Sequence, residues 1–173
     1  MHISPPASDA TGNTFIAARV SLLSENSLLL MTATTRTPHL IWHDRFHTPT
    51  VEALLTDLNR DVQAAARHAR TLLFARPDID ELVSWQGVWK WAIVYQRAAT
   101  PDRASAFLIP TPQRPRLCIP VSAGAYAALH HGNTEKFIRD ALAHCALVDG
   151  TRWPEWELTG KMQVEELVKL APG

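Results

Sequence analysis

A chain of 173 residues is long enough to bury a real hydrophobic core and short enough to do so as one domain. Lysine plus arginine equals aspartate plus glutamate at 17 each, so there is no basic surplus for bulk electrostatic attraction and no nucleic-acid partner is expected. Apolar residues at 46% and charged residues at 20% match an ordinary soluble domain. No apolar run reaches the roughly 18 residues that span a bilayer, so the expectation is a cytoplasmic protein without a membrane partner.

The chain opens on a segment, residues 1–37, that reads as flexible. Pro5, Pro6, Ser8, Asp9, Gly12 and Asn13 crowd its start. Arg19, Glu25 and Asn26 interrupt its apolar runs and no basic stretch precedes them, which makes a poor signal peptide. Met31 is an alternative initiator, with residues 1–30 then an over-extended reading frame. The remainder, 38–173, reads as a single α+β domain.

Leu40, Ile41 and Trp42 form a short apolar segment after Pro38. Thr48 followed by Pro49 is a helix start, because proline's missing N–H costs nothing at the first helical position. Val51, Leu54, Leu55, Leu58, Val62, Ala65, Ala69, Leu72 and Leu73 then recur at three- and four-residue steps, predicting one long amphipathic helix that ends before Pro77. Asp78 to Val83 reads as a short additional turn of helix. From Val88 to Gln96 the period becomes two, which places Trp89, Trp91, Ile93 and Tyr95 on one face of a strand. Ala104 to Pro110 and Arg116 to Val121 are the next strands, joined by short turns that imply antiparallel neighbours. Ser122 caps a helix stopped by Gly132, and a second helix carries Phe137, Ile138, Ala141, Leu142 and Cys145 on its inner face. Val148 to Leu158 predicts a fourth strand, irregular at Trp153 and Pro154 because proline cannot donate to a ladder. Lys161 to Leu170 closes the chain as a helix. The expected fold is an antiparallel sheet of about four strands packed with a long N-terminal amphipathic helix and C-terminal helices.

Motifs for chemistry are sparse. Cys118 and Cys145 form no Cys-x-x-Cys pair and read as free thiols. His39, His43 and His47, with Asp44 between them, stand at helical spacing for a divalent metal. In an extended segment, however, neighbours four apart lie about 13 Å from each other, too far for one ion. The bland alternative is surface histidines leading into a helix cap. His130 and His131 at a helix C-terminus are explained by the helix dipole. Glu155 and Glu157 share a strand face, as a carboxylate pair or as a solvated edge. No nucleophile elbow, phosphate loop or dinucleotide fingerprint is present, and no cofactor is expected.

Tryptophan is the strongest feature: Trp42, Trp85, Trp89, Trp91, Trp153 and Trp156. If the first and last strands are neighbours, Trp85, Trp89, Trp91, Tyr95, Trp153 and Trp156 form an aromatic wall. That wall is either a large core or one side of a ligand cleft, with Lys90, Arg152, Glu155 and Glu157 as orienting groups.

Several of these segments together resemble a known group. They are Trp85-Gln86-Gly87 before Trp89-Lys90-Trp91, Ala106 to Pro110, Leu117 to Val121, Gly150-Thr151-Arg152-Trp153 and the closing helix. Their order resembles the YdhG-like superfamily of uncharacterised bacterial domains, over roughly Trp42 to Leu170. The resemblance implies a compact α+β fold and a bacterial cytoplasmic setting, and it brings no activity and no catalytic residues.

Three functions are consistent with these features. The first is a non-catalytic small-molecule-binding or accessory domain with an aromatic cleft. The second is a metal-dependent enzyme using His43, Asp44 and His47. The third is an interaction module that forms a homodimer through the exposed side of its sheet.

Overall fold

The computed structural model describes residues 40–132 and 134–172, apart from the side chains of Leu40, His130 and His131. The N-terminal segment, with Met31 and His39, lies outside the described residues. Among them the order of elements is α1 (Leu40–His43), α2 (Val51–Thr56), α3 (Arg60–Phe74), β1 (Ile79–Trp85), a 3-10 turn (Gly87–Trp89), β2 (Trp91–Arg97), β3 (Thr100–Ile109), β4 (Arg116–Cys118) and β5 (Val121–Ser122). There follow α4 (Ala123–His131), α5 (Lys136–His144), β6 (Ala146–Val148), β7 (Thr151–Trp153), β8 (Glu155–Glu157) and α6 (Lys161–Val168). The architecture is mixed helix and sheet, and no described helix is long and apolar enough to cross a membrane.

The long helix expected from Thr48 is two helices. Thr50 is the N-cap, its hydroxyl accepting the Ala53 N–H at 3.1 Å, so the helix starts two residues later than the Thr48-Pro49 pair suggests. It stops at Thr56, and Asn59 opens the next. The Asn59 N–H is drawn out of the helical ladder to the carbonyl of Pro112, 2.9 Å away. Leu54, Leu55, Leu58, Ala65, Ala66, Ala69 and Leu73 are all buried on both sides of the break. The three- and four-residue spacing therefore runs through the kink unaltered.

The main sheet has five strands in the order β1-β2-β3-β4-β8, every neighbouring pair antiparallel. β1 corrects the helical turn expected over Asp78 to Val83. Asp78 turns the chain with φ +57°, its carbonyl accepts the Ala98 N–H at 3.0 Å, and all seven residues of β1 pair with β2. Two acidic residues, Asp80 and Glu81, mask the alternation of Ile79, Val83 and Trp85. The expected fourth strand is likewise divided: β7 belongs to a second, three-stranded sheet ordered β5-β7-β6, and β8 closes the edge of the first. Pro154, which has no N–H to donate, stands at the switch between the two sheets.

One face of the large sheet carries Trp91, Ile93, Tyr95, Ala106, Leu108, Leu117 and Trp156 into a single core with α2, α3 and α6. The alanines of α3 let its backbone come close to the sheet, and Val164, Leu167 and Val168 of α6 fill the space beside it. Arg76, just past α3, ties the two helices together. Its guanidinium donates to the carbonyls of Val168 and of Ala171 (2.7 Å) at the open end of α6, where orphan carbonyls and the helix dipole both favour a cation. Arg76→Met keeps the aliphatic stem and removes these bonds. It is expected to cost about 1.5–3 kcal/mol, measurable by urea unfolding.

Candidate functional site

The five tryptophans expected in one wall with Tyr95 are divided between the two faces of the sheet. The 3-10 turn from Gly87 to Trp89 interrupts the alternation before β2 begins, and Lys90 adopts φ +57° as the chain enters the strand. The turn is closed by the Gln86 N–H on the carbonyl of Lys90, at 2.7 Å. Trp89 and Trp91, expected to share a face, are thereby sent to opposite faces of the sheet.

Trp42, Trp91 and Trp156 are buried in the helix-covered core, and half-buried Trp85 packs against it. Trp85 and Trp91 are register partners whose rings meet edge-on at 5.4 Å. The Trp91 indole N–H donates to the carbonyl of Asp44 at 2.7 Å, and that of Trp42 donates to the carbonyl of Trp91 at 3.3 Å. These bonds moor α1 and the loop after it to the start of β2. Tyr95 lies fully buried in the same core beside Glu81, and burial together with that carboxylate raises its phenol pKa.

The other two indoles lie on the second face. Trp89 and Trp153 are half-buried and flank Phe107, at ring separations of 5.4 Å and 5.9 Å. The Trp89 N–H donates to one oxygen of Glu155 at 2.8 Å, and Arg116 pairs with the other. Glu155 is the register partner of Cys118, and Arg116 that of Glu157, so the ion pair runs diagonally between β4 and β8. Ala92, Val94, Ile109 and Cys118 line the floor, and the cluster includes no residue from a described α-helix. The result is an aromatic strip with one carboxylate held by two donors at its rim. Both oxygens of Glu155 are engaged as acceptors, an arrangement suited to positioning rather than proton transfer.

Cys118 lies beneath this strip. Burial, and secondarily the Glu155 carboxylate, push its thiol up to about 12. A folded pKa above the unfolded value favours the protonated native state. That contribution is complete below the thiol's ordinary range and is lost as pH rises through 12. Cys118 is therefore expected to be silent toward a thiol reagent at pH 8 until the protein unfolds, while partly exposed Cys145 reacts in the native state. Thiol counting with and without denaturant measures this; two fast native thiols would contradict it.

The remaining sequence candidates are placed elsewhere. Arg152 meets no indole: its guanidinium lies 4.0 Å over the ring of Tyr126 and donates to the carbonyl of Leu142 at 3.0 Å. Tyr126, Leu129, Arg139, Asp140, Leu142 and Ala143 line a groove of about 220 Å³ between α4 and α5, smaller than the ~300 Å³ at which small-molecule sites begin. His43 takes a 2.6 Å contact from the Lys90 ammonium, which also sits 4.4 Å over the Trp42 ring. His47 pairs with Asp44 at 2.7 Å on an exposed loop. The Phe46 N–H and then His47 lower the Asp44 pKa. Among the described residues no three His, Cys, Asp or Glu side chains converge as metal ligands. His39, the third member of the sequence trio, lies outside those residues.

Phe107 and Arg116 are the members of the aromatic strip that sequence reasoning missed. Arg116 stands two residues before Cys118 on a short strand, so alternation puts both on one face. Nothing in the sequence alone pairs that strand with Glu155. Comparison with protein-family models, curated proteins and solved structures finds no match for this chain.

Proposed function

We propose that this chain is a non-catalytic small-molecule-binding or accessory domain whose ligand, a flat apolar molecule, lies against Trp89, Phe107 and Trp153. The observation that carries this reading is the division of the tryptophans. Trp42, Trp91 and Trp156 are buried in the helix-covered core and Trp85 packs against it, while Trp89 and Trp153 stay half-buried on the other face beside an ordered carboxylate and guanidinium. Large aromatic surfaces with a few fixed polar groups are the usual make-up of ligand sites. Arg116, with 34% of its side chain exposed, has N–H groups beyond the one given to Glu155 and can orient a polar substituent on the ligand. The YdhG-like resemblance and a bacterial cytoplasmic setting belong to the same proposal.

Intrinsic fluorescence titration of the whole chain against a metabolite library tests it. The expected result is a compound whose quenching is abolished in the Trp89→Phe/Trp153→Phe double variant and retained in Trp85→Phe. A compound that binds the double variant unchanged, or one whose binding requires Arg152 and Tyr126 instead, would move the site off this face.

A further inference from the structure

In the antiparallel ladder between β4 and β8, Arg116 stands opposite Glu157 and Cys118 opposite Glu155. Alternation turns all four side chains to the face of Trp89, Phe107 and Trp153, so two carboxylates flank one guanidinium there. Glu155 is engaged by Arg116 and by the Trp89 N–H. Glu157 is exposed. The Gln163 amide bonds its backbone carbonyl at 3.1 Å, and among the described residues no donor or cation meets its carboxylate. The basic residues next in sequence to the two indoles both reach away from the strip: the Lys90 ammonium lies over Trp42 and the Arg152 guanidinium over Tyr126. The unanswered charge beside the strip is negative.

The rings carry the same sign. An aromatic face is the negative side of the ring quadrupole, and indole holds a cation better than phenyl or phenol does. The Trp89 N–H donates to a carboxylate at 2.8 Å, which polarises the indole and makes its face a stronger partner for a cation. Beneath the strip, Glu155 acts on the Cys118 thiol more strongly than Arg116 does.

Given the aromatic site proposed above, on which this inference rests, we propose that its ligand is a flat organic cation: an aromatic or heteroaromatic ring system with a permanent positive charge. Two effects select it over neutral and anionic molecules of the same shape. The indole faces attract the charge directly, and Glu157 supplies a counter-charge that no described residue has taken. A carboxylate ligand, which Arg116 alone would attract, meets Glu155 already on that guanidinium and Glu157 across the ladder. Like charges oppose it.

Three bicyclic probes of nearly equal shape test the charge: 1-methylquinolinium, 1-methylnaphthalene and 1-naphthoate. Each is titrated into the full chain at low salt and followed by the indole N–H resonances. The cation is expected to move Trp89 and Trp153 and to bind at least about tenfold more tightly than its neutral isostere, with the anion weaker than either. Glu157→Gln, an exposed and nearly isosteric change, should weaken the cation by about three- to tenfold and leave 1-methylnaphthalene unchanged. Raising the salt to about 0.5 M should narrow the gap between those two probes. Equal affinity of the cation and its neutral isostere at Trp89 and Trp153, or a cation indifferent to Glu157→Gln, overturns the charge preference and leaves the aromatic site standing. Probes that move only the core indoles, or none, remove the site itself and this inference with it.

Discussion

Arg70→Met is expected to lower the unfolding free energy by about 3–5 kcal/mol, more than any other single change at an ion pair described above. The reason is the asymmetry between its two partners. Glu81 projects from β1 into the core face with its side chain only 8% exposed, and Arg70 donates to both of its oxygens at 2.9 Å. Glu81 in turn raises the pKa of Arg70. Removing the guanidinium leaves a buried carboxylate beside the Tyr95 ring with no counter-charge, which costs far more than the pair itself contributes. The double variant Arg70→Met/Glu81→Leu, which removes both charges, is expected to recover most of the loss. Glu52 is a contrasting case: it bonds Arg67 and Arg70 at 2.8 Å but is 58% exposed. Glu52→Ala should cost no more than about 1 kcal/mol, because water and salt screen that pair. Urea unfolding of the four proteins measures the set. Equal losses for Arg70→Met and Glu52→Ala would show that Glu81 is not effectively buried.

Trp91→Ala is the second large effect, with an expected loss of about 3–5 kcal/mol. Trp91 is 4% exposed, packs edge-on against Trp85 and donates to Asp44, so its removal opens a cavity and frees the loop after α1. Trp91→Phe fills much of the volume but leaves the Asp44 carbonyl without its donor, for about 1–2 kcal/mol. Trp89→Ala and Trp153→Ala remove indoles that are already partly exposed. They should cost less than Trp91→Ala, on the order of 1–2 kcal/mol each. If all six tryptophans proved equally costly to remove, the division into core and surface indoles would be wrong.

The parts of the fold legible in the sequence were those governed by local periodicity. The apolar face of residues 51–73, the alternation of Trp91, Ile93 and Tyr95, the Ser122 cap with Gly132 behind it, and the final helix all follow from spacing, and the structure has them. What spacing concealed were single backbone events. The break at Asn59 depends on its N–H donating to the carbonyl of Pro112, more than fifty residues away. Lys90 in the left-handed region reverses the face of Trp89, and no residue type announces it, since lysine ordinarily avoids that conformation. β1 was disguised by Glu81, whose charge is tolerated inside only because Arg70 reaches it from α3. The candidate site was legible in its residue types and illegible in its membership. Trp89, Trp153 and Glu155 were visible in the sequence, but the sheet order that sets Phe107 and Arg116 among them, and sends Arg152 to Tyr126, is a product of long-range pairing.

The most direct test is the indole N–H region of a nitrogen-15 correlation spectrum, with its six resonances assigned by single Trp→Phe variants and recorded against the compounds that quench fluorescence. The proposed site predicts that a binding compound shifts Trp89 and Trp153 together and leaves Trp42, Trp85, Trp91 and Trp156 in place. A compound that shifts the core four and spares Trp89 and Trp153 would contradict it.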